Sequence, residues 1–97
     1  MTANDVQTLQ EIISILVSYD SNKSISGYEL IISNSKVAIT VYFFDTEILS
    51  YVYWLDYEYS YANRYNSVAD MLLQCSREML EVGVNDKLKQ YMISDKY

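Results

Sequence analysis

An α+β domain of two layers is the fold class this chain predicts, and three observations predict it. Apolar residues recur at helical spacing near the start of the chain and again in its last third. Between those stretches, three runs alternate their side chains at the strand period. The connections between the runs are short enough only for turns, which makes the strands an antiparallel meander. The expected order is one helix, three strands, one long helix and one short helix, αβββαα, in a single domain over residues 1–97.

The first helix should be capped by Asn4, with Gln7 three residues on completing a capping box and Asp5 at the positive end of the helix dipole. Val6, Leu9, Ile12, Ile13, Leu16 and Val17 form its apolar stripe, which ends near Ser18 or Tyr19. Asp20 to Ser24 is polar and reads as a loop. Gly27 opens the first strand, with Tyr28, Leu30 and Ile32 on one face and Glu29 and Ile31 on the other. Ser33 to Lys36 has turn chemistry, since Ser can bond back to the chain and Asn tolerates the left-handed region. The second strand spans Val37 to Phe44, with Val37, Ile39, Val41 and Phe43 as its apolar face. Asp45-Thr46-Glu47 turns the chain into a third strand from Ile48 to about Glu58, expected at the centre of the sheet. Asn66 or Ser67 caps the long second helix, whose stripe is Val68, Met71, Leu72, Cys75, Met79 and Val82. Gly83 suits a C-terminal cap, Asn85 can start a last short helix, and residues 94–97 should fray.

Composition narrows the function. With 97 residues and 51% hydrophobic content, the chain can bury a core without metals or disulfides. Its one cysteine excludes an internal disulfide and a multi-cysteine metal site. Having no histidine, it lacks the commonest metal ligand and general base. No cofactor is expected. The net charge is −6 and no run of Lys or Arg occurs, so direct binding of nucleic acid or of an anionic membrane is disfavoured. Apolar runs are too short to span a bilayer, and the first residues lack the pattern of a secretory signal. A cytoplasmic protein is the resulting expectation.

A catalytic signature is missing. Two glycines cannot build a phosphate loop or a dinucleotide fingerprint. Cys75 lies on an apolar stripe, where a thiol is ordinarily buried and inert. Asp56 and Glu58, two apart, would share one strand face at about 6.6 Å, a separation within reach of a glycosidase pair or a divalent metal. No further ligand or pocket chemistry accompanies them, and an enzyme is not expected.

The informative stretch is Ile48 to Asn66, with six of the eleven tyrosines and the only tryptophan. Tyr51, Tyr53, Tyr57, Tyr59 and Tyr61 share a parity with Leu49 and Leu55. Alternating tyrosines serve cross-strand pairing on an ordinary sheet surface. They also make binding surfaces, because Tyr offers large contact area at low entropic cost and keeps a hydroxyl. Ile48, Val52 and Trp54 are the alternative core face, since a shift of one residue exchanges the two sets. From Val37 to Asn63 there are four acids, Asp45, Glu47, Asp56 and Glu58, and no base. A solvated face normally mixes both signs. Carboxylates spaced along a strand can stand in for phosphates before a basic groove, with tyrosine rings in place of stacked bases.

In element order, length and acidity the chain resembles the small phage inhibitors known as anti-CRISPR proteins, in particular those built as a helix, a three-stranded antiparallel sheet and one or two closing helices. The resemblance implies an inhibitor that binds a CRISPR effector complex and occupies the site of target DNA, partly as a DNA mimic. The stretch from Asp45 to Asn66 would carry the mimicry. Asp45, Glu47, Asp56 and Glu58 would pair with Arg or Lys, and Tyr53, Tyr57, Tyr59 and Tyr61 would supply contact area. The same physics fits an immunity protein or antitoxin that neutralises a basic nuclease. A third reading is a structural protein that self-associates through its aromatic sheet. A homodimer is compatible with all three.

Overall fold

The computed structural model describes residues 1–44 and 47–94, the stretch from 84 onward as helix backbone. Its elements are α1 (Ala3–Ser21), β1 (Gly27–Ile32), β2 (Lys36–Tyr42), β3 (Ile48–Trp54), a 3-10 helix (Tyr57–Ala62) and α2 (Val68–Ser94). The α+β class and the order of helix, three-stranded antiparallel sheet and closing helices are as the sequence predicts. Asp45 and Thr46 of the second turn, and residues 95–97, where fraying was expected, lie outside the described residues.

Helix α1 starts two residues earlier than expected. Thr2, in extended conformation, is the N-cap. Its hydroxyl accepts from the Asp5 N–H at 3.2 Å, and the Asp5 carboxylate accepts from the Thr2 N–H at 3.1 Å. This reciprocal pair satisfies two donors that Asn4, already inside the helix, cannot reach. The helix runs on to Ser21, and Lys23 leaves it at φ 66°. Leu9, Ile12 and Leu16 are buried, while Val6 and Val17, at the margins of the stripe, stay largely exposed. At the β1–β2 turn, Ser33 Oγ accepts from the N–H groups of Ser35 and Lys36, both at 3.2 Å, as its turn chemistry predicts. Ser67 caps α2, accepting from the Asp70 N–H at 3.2 Å.

The sheet order is β1-β2-β3, so β2 is the centre and the tyrosine strand is an edge. Two tight turns in succession require this, because the middle strand of a meander has a neighbour on each side. Pairing runs from Gly27 opposite Tyr42 to Ile32 opposite Val37, and from Lys36 opposite Trp54 to Tyr42 opposite Ile48. One sheet face carries Tyr28 and Leu30, then Val37, Ile39 and Val41, then Leu49, Tyr51 and Tyr53. It joins the apolar stripes of both helices in one core, with Ile12, Leu16, Met71, Leu72, Cys75 and Met79 at its centre. Strand parity is therefore settled in favour of Leu49, Tyr51 and Tyr53 facing inward. The other face carries Ile31, Ala38, Tyr42, Ile48, Val52 and Trp54; of the elements beside the sheet, the 3-10 helix reaches it, through Tyr59 on Trp54.

Strand β3 ends at Trp54, short of the expected Glu58. Leu55 and Asp56 both donate their N–H to the Ser35 carbonyl, which bends the chain off the ladder. The second difference lies at Gly83. No glycine has positive φ, and α2 continues through Gly83 and Asn85 to Ser94, so the separate short helix is absorbed into it. The glycine serves packing instead. Tyr19 of α1 donates its hydroxyl to the Met79 carbonyl at 2.9 Å, and a Cβ at Gly83 would collide with that hydroxyl. Glycine is the notch in α2 that admits the Tyr19 ring end.

Gly83→Ala should therefore destabilise the protein by about 1–3 kcal/mol through overpacking, against a helix-propensity gain of about 1 kcal/mol. Tyr19→Phe removes the colliding oxygen. Urea titrations of both single variants and the double variant should show that Tyr19→Phe recovers part of the Gly83→Ala loss. Additive losses would mean the two residues do not meet.

Candidate functional site

The structure divides the tyrosine segment in two. Tyr51 is 3% exposed and its hydroxyl donates to the Glu78 carboxylate on α2. Gln74 donates to the other Glu78 oxygen at 2.7 Å. Tyr53 is half-buried against the core. Tyr51 thus ties α2 to the sheet. Tyr57, Tyr59 and Tyr61 lie past the strand on the 3-10 helix, and they are 92%, 46% and 84% exposed. An interface built on Tyr57 and Tyr61 thus has side chains to offer, whereas Tyr53 faces the core.

Each element of this projection has a local cause. Asp56, in extended conformation, is the N-cap of the 3-10 helix, and its Oδ1 accepts from the Glu58 N–H at 3.0 Å. The helix is fixed to β3 by Asn63. Its side-chain oxygen accepts from the Trp54 N–H at 2.7 Å, and its amide nitrogen donates to the Trp54 carbonyl at 3.0 Å. One asparagine side chain thereby replaces one residue of a neighbouring strand. The Tyr59 ring packs on Trp54 with centroids 5.1 Å apart and planes tilted by 39°. Lys36 Nζ lies 5.1 Å from the centre of the same indole, a cation–π distance. Trp54 thus anchors the projection that carries Tyr57 and Tyr61 outward.

The carboxylates are arranged differently from a strand-borne row. Glu58 is exposed and Glu47 is exposed at the start of β3, but Asp56 is occupied in capping and neither Asp56 nor Glu58 lies on a strand. Asp45 is outside the described residues. The expected 6.6 Å pair on one strand face does not form, because the chain leaves the ladder at Leu55. Among the described residues, no three His, Cys, Asp or Glu side chains gather as a metal-binding set. No helix among them is long and apolar enough to cross a membrane.

Several residues the sequence reading passed over line open clefts beside this projection. One cleft, of about 380 Å³, lies along the outer edge of β3 between Ser50, Val52 and Trp54 and the chain at Ala62, Arg64 and Tyr65. A smaller one, of about 250 Å³, continues past Arg64 and Tyr65 to Asp70, Gln74 and Arg77 on α2. Arg64 is the residue at which the base-free window of the sequence ends. That boundary was the signal available for it. Nothing in the sequence marks Asn63 as a substitute for a strand partner.

Cys75 is buried and reduced. Burial, with Glu78 adding to it, pushes its thiol up to about 12, away from nucleophilic use. Burial and the hydrogen bond to Glu78 also raise the Tyr51 phenol, and burial raises that of Tyr65.

Two predictions follow from these contacts. Asn63→Ala should cost about 1–3 kcal/mol, because the Trp54 backbone loses both partners, and should red-shift and quench-expose the Trp54 fluorescence as the 3-10 helix loosens. An unchanged emission maximum would disprove the anchoring role. Stability should also decline in alkali. Cys75 and the raised tyrosines stay neutral in the folded chain but ionise when unfolded, from their ordinary values of 9.0 and 10.0. Their contribution is complete below pH 9 and is lost as pH rises towards the folded values. Urea midpoints should fall from about pH 9 upward, and Cys75→Ala should remove the earliest part of that fall.

Comparison of the chain with protein-family models, with curated proteins and with solved structures finds no match.

Proposed function

We propose that this protein is a non-enzymatic inhibitor that uses the Asp56–Tyr61 projection to occupy a basic, nucleic-acid-binding groove of a partner protein, and thereby keeps target DNA out. The reading names a CRISPR effector complex in the cytoplasm of an infected host as the partner class. The observation that carries it is the pair of nearly fully exposed tyrosines, Tyr57 and Tyr61, held on a capped helix beside Glu58. Monomeric surfaces seldom present large aromatics so openly, and tyrosine is enriched where binding energy concentrates. The net charge of −6 would steer such a surface towards a basic groove at high rate.

The corrected geometry changes the division of labour. Contact area comes from Tyr57, Tyr61 and the outer part of Tyr59, while Tyr53, turned to the core, gives none. Glu58 and Glu47 act as rim charges, which govern encounter and salt dependence more than residence time. Carboxylates replacing consecutive phosphates along a strand are no part of this version. An immunity protein for a basic nuclease would use the same surface, and the partner recovered in the experiment below separates the two.

The experiment is a pull-down with the tagged protein from a lysate of a CRISPR-bearing bacterium, at low and high salt, with and without target DNA. Recovery of a nucleoprotein effector that target DNA displaces is the expected result. With the partner in hand, Tyr57→Ala with Tyr61→Ala should weaken binding more than tenfold, by analogy with truncated aromatic anchors. Asp56→Asn with Glu58→Gln keeps a capping side chain at position 56 and should flatten the salt dependence. Affinity and salt slope unmoved by either pair would sink the proposal.

A further inference from the structure

The outer edge of β3 is a separate feature, independent of the tyrosine projection. The ladder fixes which of its backbone groups point outward. Leu55 donates to Ser35 and the Glu47 carbonyl accepts from Phe43, so the odd-numbered residues of β3 face β2. Ile48, Ser50, Val52 and Trp54 therefore direct their N–H and C=O groups away from the sheet. Asn63 closes this edge at Trp54. At the other end β3 begins at Ile48. Among the described residues, no strand pairs with this edge from Ile48 to Val52, and it opens on the 380 Å³ cleft beside Arg64. Ile48 is 56% exposed there and Ser50 is exposed. Edges of this kind are templates for another strand unless a charge, a proline or a bulge blunts them, and Ile48 to Val52 carries no charge and no proline.

We propose that this edge pairs with the same edge of a second copy, antiparallel about a two-fold axis through Ser50, to give a homodimer with a continuous six-stranded sheet. The chain is self-complementary in that register. Ser50 meets Ser50 of the second copy on the axis, where two small side chains fit. Ile48 meets Val52 of the second copy, and the same contact repeats on the other side, as a two-fold interface requires. Both pairs lie on the sheet face opposite the core, so they extend its apolar strip. The paired length matches the open length, because Ile48, where β3 begins in each copy, meets Val52 of the other, next to the Trp54 that Asn63 closes. Charge is complementary at that point. Glu47 of the second copy falls opposite Tyr53, beside the cleft that Arg64 lines, in an otherwise base-poor region. An unrelated peptide strand would need this same order of acid, branched apolar, small and branched apolar residues. The chain itself supplies it as Glu47, Ile48, Ser50 and Val52.

The test is cross-linking combined with mass in solution. Directly opposite residues of a hydrogen-bonded antiparallel pair have Cα atoms about 5.5 Å apart, within disulfide reach. Ser50→Cys should oxidise to a covalent dimer, whereas Ser33→Cys, exposed at the β1–β2 turn, should not. Buried Cys75 stays unreactive if the thiols are alkylated before denaturation. Light scattering should show a wild-type dimer that dissociates on dilution and becomes a monomer with Val52→Lys, with unchanged circular dichroism. Arg64→Glu and Glu47→Arg should each weaken the dimer more than threefold, and together restore it. The inference is overturned if the wild type stays monomeric up to about 1 mM, where affinity would be negligible. It is equally overturned if Ser50→Cys cross-links no faster than Ser33→Cys, or if a dimer survives Val52→Lys.

Discussion

Burial of one face of β2 beneath α1 and α2 is the constraint on which the other features depend. Val37, Ile39 and Val41 are each at zero exposure. Burying branched side chains of this size stabilises by about 1.5–3 kcal/mol each. Side chains alternate along a strand, so covering this face fixes the facing of both neighbours through the ladder. Tyr28 and Leu30 on one side, and Leu49, Tyr51 and Tyr53 on the other, are drawn inward with it. The remaining face is left to Ile31, Ala38, Val52 and Trp54, where the 3-10 helix packs at Trp54 through Tyr59.

The same constraint divides the tyrosines by role. Tyr51 is held between the sheet and α2, where Glu78 accepts its hydroxyl and keeps a polar atom satisfied in a buried place. Tyr19 does the equivalent between the helices, through the Met79 carbonyl and the notch at Gly83. Once the chain leaves the ladder at Leu55, the core no longer claims the aromatics that follow. Tyr57 and Tyr61 then stand exposed on a short helix that Asp56, Asn63 and the Trp54–Tyr59 contact hold in place. Tyrosine alternation in the sequence thus runs straight across a boundary between structural and solvent-facing residues.

Much of the fold was legible in the residues. The stripes of both helices, a cap at Asn66 or Ser67, the serine chemistry of the β1–β2 turn and the inward parity of Val37, Ile39 and Val41 all follow from spacing and turn type. The errors lie where a local pattern had two outlets. Thr2 and Asn4 are both good caps, and only the reciprocal bonds with Asp5 select Thr2. Gly83 fits a helix end by type, but its reason is a ring 64 residues earlier in the chain. The candidate site was half legible. Exposed Tyr57, Tyr59 and Tyr61 lay within the predicted segment, but Tyr53 was predicted with them because alternation does not report where a ladder stops.

By itself, the sequence determined the class of fold, the buried stripes, the acidity and the absence of histidine, because these depend on composition and on short periods. The tertiary structure decided which strand is central, where β3 ends, which tyrosines meet water and which backbone edge stays open. Those properties depend on contacts between residues far apart in the chain. The Ser35 carbonyl that draws Leu55 and Asp56 off the ladder, and the Asn63 amide that stands in for a strand at Trp54, are two such contacts. Neither leaves a periodic trace in the residues that make it.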